Sequence, residues 1–141
     1  MKKIYLAGSG GMLGEAFYNV FKSSYELKCT DKDVNVDWLS FLDFRDLAAY
    51  RKEVESFRPD YLFHLGAYTD LEYCERNIED AYKTNTTSVE NAVWIANKLD
   101  IPMLYIAPPE FLTVRRIPLM TGIDPIRWGT MLVPNTWESY T

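Results

Sequence analysis

Gly8-Ser9-Gly10-Gly11-Met12-Leu13-Gly14, GSGGMLG, is the stretch whose reading decides the fold. Before it, Ile4 to Ala7 is a short apolar run that stops at the glycines, as a buried strand does. After it, Met12 to Ser23 carries Leu13, Ala16, Phe17, Val20 and Phe21 at helical spacing. The stretch is therefore a turn between a strand and a helix, with the spacing G-x-x-G-x-x-G. A helix start offers free N–H groups and a positive dipole end, and glycines remove the side chains that would keep a phosphate away. Gly8 suits the sharp turn, Gly11 a close backbone approach to a pyrophosphate, and Gly14 close packing of helix on strand. Met12 and Leu13 supply the first amides of that helix. The alternative is a glycine-rich turn without a ligand. The strand before and the helix after favour a dinucleotide.

The pattern continues outward. Glu26 to Thr30 reads as a second strand and ends at Asp31. An acidic residue there can accept from an adenosine ribose 2′-hydroxyl, which points to NAD. The alternative is a solvated turn aspartate. Lys28 and Lys32 flank Asp31 and leave NADP, with its 2′-phosphate, open. Phe44 to Phe57 reads as a helix with Phe44, Leu47, Ala48, Val54 and Phe57 on one stripe, stopped by Arg58-Pro59. Asp43 before it either caps that helix or accepts from an adenine amino group. Tyr61 to Leu65 reads as a third strand. Leu65, Gly66, Ala67 and Tyr68 follow at its carboxyl end, where ligands sit in open parallel sheets, and Gly66 and Ala67 are small enough to let a cofactor pass. A long helix is expected from about Glu79 to Leu99, and a fourth strand from Met103 to Ile106. His64 reads as a packed histidine, and Asn85, on the helix's apolar stripe, as a brace for neighbouring backbone.

Strands alternating with helices give an α/β, Rossmann-type parallel sheet with helices on both faces. The bulk numbers agree with one such domain. The chain has 141 residues and a net charge of −5, and no basic cluster that would suit nucleic acid or an anionic membrane. No stretch is long enough to span a bilayer, and the N-terminal apolar run is too short for an export signal. Cys29 and Cys74 lack metal spacing and read as isolated thiols in a reducing cytoplasm. With one histidine, a histidine-built metal site is not expected.

The stretches AGSGGMLG, FLDFRD, FRPDYLFHLGAYTDLEYCE and AYKTNTTSVENAVWIANKLDIPMLYI together resemble the N-terminal half of extended short-chain dehydrogenases/reductases. The RPD…GAYTDLEYCE…N run most resembles the dTDP-4-dehydrorhamnose reductase group. The resemblance covers Met1 to Ile106. It implies NAD or NADP, a nucleotide-sugar substrate for a full-length form, and cofactor roles for Gly8, Gly11, Met12, Leu13, Asp31, Asp43, Phe44, Gly66, Ala67 and Tyr68. In that family Ser-Thr follows the strand that Met103 begins here, and a later Tyr-x-x-x-Lys pair supplies the proton for carbonyl reduction. Here Ala107-Pro108 stands in the Ser-Thr place. No lysine follows Ile106, so no Tyr-x-x-x-Lys does either. No catalytic residue is assigned, and this chain is expected to be catalytically incomplete. The alternatives are a non-catalytic NAD(P)-binding module and half of a related nucleotide-sugar epimerase or dehydratase.

The composition changes at Ile106/Ala107. Five of the seven prolines lie beyond it and neither strand nor helix period persists. Residues 1–106 are read as the NAD(P)-binding domain and 107–141 as an atypical Pro-rich, out-of-frame tail, the alternative being a natural protein with a divergent tail. Joining the last base of each codon to the first two of the next lets IAPPEFLTVRR encode Ser-Thr-Ala-Gly-Ile-Phe-Asp-Gly-Lys-Lys after Ile106. The junctions from Thr130 to Asn135 then permit Tyr-Ala-Arg-Ser-Lys. The sheet would stop after about four strands, its last strand left as an edge for the tail or another chain to cover. Trp128, Leu132 and Trp137 are expected to cover apolar surface, within the chain or between chains.

Overall fold

The computed structural model describes residues 1–106. The expectations placed on the tail, including Trp128, Leu132 and Trp137, lie outside the described residues.

The elements are β1 (Lys3–Ala7), α1 (Met12–Phe21), β2 (Glu26–Asp31), β3 (Leu39–Phe41), α2 (Leu47–Phe57), β4 (Tyr61–His64), α3 (Leu71–Arg76), α4 (Ile78–Tyr82), a π-helical segment (Lys83–Thr87), α5 (Ser88–Leu99) and β5 (Met103–Tyr105). The described strands form one sheet in the order β3-β2-β1-β4-β5, with every pairing parallel. Chain order reverses at β1, whose neighbours are β2 and β4. That is the point where an open α/β sheet leaves a crevice at its carboxyl edge.

Alternation along the strands builds a core on each face. Ile4, Leu6, Cys29 and Leu39 point to one side, against Phe17, Tyr18 and Phe21 of α1. Tyr5, Ala7 and Leu62 point to the other, against Tyr50 and Val54 of α2 and Ala92, Ile95 and Ala96 of α5. Helices therefore cover both faces, as expected.

Three expectations are corrected. The sheet has five strands rather than four. The sequence reading missed β3 because it is three residues long and follows β2 through residues 32–38 without a helix. Met103–Tyr105 is still an edge of the sheet among the described residues. The second helix begins at Leu47, not Phe44: Asp46, in an extended conformation, caps it by accepting from the amides of Ala48 and Ala49. Phe44 is instead buried in the core below the sheet's carboxyl edge. The single long helix is three pieces, because the π-helical turn at Lys83–Thr87 separates α4 from α5. In addition α3, capped by Asp70 accepting from Tyr73 N, lies in a stretch for which the sequence predicted no element.

Candidate functional site

A cavity of about 850 Å³ opens at the carboxyl edge, over the reversal point. Gly8, Gly11, Met12, Leu13 and Gly14 line one side of it. Asp31, Phe44, Leu65, Gly66, Ala67 and Tyr68 line it too, with Lys32, which flanks Asp31 in the sequence, and with Gly10 and Thr84, which the sequence reading gave no site role. Asp43 is not on its wall.

The glycine loop is held from below. The amides of Gly8 and Ser9 both donate to the Thr30 carbonyl, at 2.8 and 3.1 Å. The buried Ser9 hydroxyl donates to the Leu6 carbonyl at 2.9 Å. Gly8 has φ +77°, and a Cβ there would lie 2.2 Å from the Gly66 Cα. A Cβ on Gly14 would lie 2.2 Å from the Ser9 carbonyl oxygen. Backbone packing thus requires both glycines. Gly11 differs: an added Cβ meets nothing within 4 Å. Gly11 is the N-cap of α1 and offers no side chain to cap it. The amides of Met12, Leu13 and Gly14 therefore have no acceptor within their helix, and the Met12 side chain is 90 % exposed.

Asp31 folds back onto this loop. Its Oδ2 accepts from Gly10 N at 2.8 Å and its Oδ1 from Asp33 N at 3.1 Å. A Cβ on Gly10 would lie 2.9 Å from the Asp31 carboxyl carbon, so the approach depends on that glycine. The run of three glycines in GSGG was the available signal. A carboxylate accepts about four bonds, so two amides leave acceptor capacity.

Asp43 has other partners. Arg45 Nε donates to its Oδ1 at 2.9 Å and Nη2 to its Oδ2 at 2.8 Å, while Nη1 reaches Asp80. The Arg45 guanidinium holds the Asp43 carboxyl below the usual carboxylate range. Asp43 therefore is not the cap of α2, which is Asp46.

The far wall is built on Tyr68. Asn85 Oδ1 accepts from Tyr68 N at 2.7 Å and its Nδ2 donates to Tyr68 O at 2.9 Å, the bracing role expected of it. Lys32 Nζ donates to the Tyr68 hydroxyl at 3.0 Å and lies 5.3 Å from the ring centroid. Beside Asn85, the Thr84 hydroxyl is buried without a hydrogen-bond partner among the described residues.

His64 is packed, as read. Its Nδ1 lies 3.1 Å from the Tyr50 hydroxyl and its Nε2 3.1 Å from Ser88 Oγ. Ser88 spends its one proton on the Thr84 carbonyl, so it accepts from Nε2–H, and Nδ1 accepts from Tyr50. The imidazole is neutral and satisfied, and burial lowers its pKa to about 4. Cys29 is likewise buried, its thiol pushed up to about 11 by desolvation. The described residues hold no cluster of three or more metal-ligating side chains.

The chain's one Tyr-x-x-x-Lys, Tyr18 to Lys22, lies in a different place. Tyr18 stacks on Trp38 at 4.3 Å, Lys22 Nζ lies 5.2 Å from the Tyr18 ring centroid, and neither residue lines the cavity. No helix among the described residues is long and apolar enough to cross a membrane.

Solved structures share this architecture. An L-threonine dehydrogenase from Clostridium difficile matches with a TM-score of 0.69 and 20% identity over 74% of this chain and 36% of its own. A hypothetical dTDP-4-dehydrorhamnose reductase from Sulfolobus tokodaii matches at 0.66 and 23% identity, over 74% and 38%. A dTDP-4-dehydrorhamnose reductase from Bacillus anthracis, in complex with NADP, matches at 0.64 and 20%, over 73% and 35%. The chain thus spans a little over a third of the length of these proteins. At these identities the likeness establishes the fold. No curated protein matches the sequence. The model of the RmlD substrate binding domain matches residues 1–108, most of the chain. With the parallel sheet and glycine loop in place, the match makes this chain a member of the RmlD substrate binding domain family.

Proposed function

We propose that residues 1–106 bind a nicotinamide dinucleotide, as the cofactor part of a nucleotide-sugar reductase resembling dTDP-4-dehydrorhamnose reductase. The observation that carries this reading is the start of α1. Three amides without helical acceptors border a cavity beside a carboxylate that has spare acceptor capacity. Met12, Leu13 and Gly14 would donate to the diphosphate, with Gly11 leaving room for it. Asp31 would accept from the adenosine ribose, and Phe44, Gly66, Ala67 and Tyr68 would flank the cofactor. The group would supply hydride to a bound carbonyl compound when substrate and proton donor are present.

Asp31 favours NAD, because a 2′-phosphate beside Asp31 and Asp33 meets two carboxylates. The cation on the cavity wall, Lys32, is engaged by Tyr68. The Bacillus anthracis reductase binds NADP, which keeps both cofactors in the test. Calorimetric titration of the purified chain with NADH and with NADPH should give saturable binding, tighter for NADH. Absence of binding of either at millimolar concentration refutes the reading.

A second reading, a non-catalytic NAD(P)-binding module, is favoured by the place of the Tyr18 to Lys22 pair, away from the cavity. We propose that the family's later Tyr-x-x-x-Lys lies in another frame of the DNA behind residues 107–141. Sequencing the DNA across the Tyr105 codon should reveal an uninterrupted alternative frame, and codons incompatible with Ser-Thr and Tyr-x-x-x-Lys refute that idea. The edge at β5, unpaired among the described residues, favours self-association, which light scattering on the purified chain tests. A reducing cytoplasm suits the two unpaired thiols.

A further inference from the structure

We infer that Thr84 is a further ligand-binding residue, whose hydroxyl hydrogen-bonds the adenosine half of the bound dinucleotide. The inference rests on the cofactor reading above and names a contact that reading does not contain.

Thr84 lies on the cavity wall, yet only 2% of its surface is exposed. Its Oγ1 is one of two buried side-chain polar atoms without a partner among the described residues. Buried hydroxyls are nearly always paired, and each exception needs a cause. Threonine within a helix commonly returns its hydroxyl to the carbonyl four residues earlier. Here the chain changes pitch: Thr84 belongs to the π-helical segment Lys83–Thr87, and that local bond is not made. Single π turns inside helices recur at functional sites.

The backbone around Thr84 is fixed on both sides. Its carbonyl accepts from the Ser88 hydroxyl, itself held by His64. The next residue, Asn85, clamps Tyr68, and Tyr68 engages Lys32, the neighbour of Asp31. Thr84 and Asp31 line the same cavity, and the adenosine is assigned to its Asp31 end. Asp43, the residue expected to meet the base, is committed to Arg45. A purine presents both donors and acceptors, and a hydroxyl serves either. Rotation about χ1 exchanges the Thr84 hydroxyl with its methyl without moving the backbone, and threonine populates two such rotamers in helices.

The test is Thr84→Val, which keeps the shape and removes the hydroxyl, beside Thr84→Ser, which keeps the hydroxyl. Each variant and the wild type are titrated with NADH and with ADP-ribose, and each is melted without ligand. The expected result for Thr84→Val is roughly threefold to tenfold weaker binding of both probes, the loss of one neutral hydrogen bond. Its ligand-free melting temperature should be unchanged or higher, since an unpaired buried hydroxyl has been removed. Thr84→Ser should bind as the wild type does. Equal binding by Thr84→Val overturns the inference while leaving the cofactor reading standing. A lowered ligand-free melting temperature also overturns it, because the hydroxyl then has an internal partner. If the wild type binds neither probe, the cofactor reading itself fails and takes this inference with it.

Discussion

Acidification should weaken the fold through one residue, His64. Its imidazole is buried between Tyr50 and Ser88, and burial lowers its pKa from 6.5 to about 4. The unfolded chain takes up a proton below pH 6.5, and the folded chain does not until about pH 4. Stability from this residue is therefore complete above pH 6.5, falls as pH is lowered through the interval, and levels off near pH 4. At 1.36 kcal/mol per pH unit the whole interval is worth about 3 kcal/mol, of which about 2 kcal/mol is lost between pH 7 and pH 5. The carboxylates held low by partners, Asp43, Asp80 and Glu79, contribute below that window, as pH falls under the ordinary carboxylate range. Urea unfolding at pH 7, 6 and 5 measures the loss as a falling midpoint at constant slope. His64→Gln provides the control. It keeps a donor and an acceptor but cannot titrate, so its stability should be lower at pH 7 and nearly flat to pH 5. A wild-type midpoint that does not move between pH 7 and pH 5, or a variant that tracks the wild type, would refute the assignment of a neutral buried imidazole.

The glycines of the loop should separate into two kinds. Gly8→Ala meets the Gly66 backbone and a positive φ, and should cost at least about 2 kcal/mol of stability in urea melts. Gly11→Ala meets open space and should leave the melt unchanged while weakening NADH binding about tenfold. Asp46→Ala removes the cap of α2 and should destabilise by about 1 kcal/mol, read from the same melts. Asp31→Asn removes the charge beside the ribose, so calorimetry should find the NADH:NADPH preference shifted toward NADPH; an unchanged ratio counts against Asp31 as the selecting group.

Much of the architecture was legible because its signals are local. The apolar run from Ile4, the glycines and the Phe17/Phe21 stripe each lie within a few residues of one another, and β1 and α1 fell where they pointed. Short elements escaped. β3 is three residues on an edge, and α3 is a six-residue helix whose capping Asp70 reads equally well as a turn aspartate. The π-helical turn was hidden inside a run with helical spacing throughout, since inserting one residue per turn leaves the composition untouched.

From its sequence alone this chain declares a strand, a glycine turn and a helix, and further strands alternating with helices in a parallel α/β sheet, because periodicity and glycine placement act over neighbouring residues. Tertiary structure gave its acidic groups different partners. Asp31 and Asp43 both stand near the carboxyl edge in sequence, but Asp31 accepts from Gly10 N, where a glycine leaves it room, while Asp43 is paired with Arg45, itself tied to Asp80. The same is true of Thr84, an ordinary helical threonine by sequence. Only the pitch change at Lys83–Thr87 and the packing of α5 on β4 leave its hydroxyl, on a residue of the cavity wall, unpaired among the described residues. Which partners a side chain meets depends on segments far away along the chain, and no local pattern encodes them.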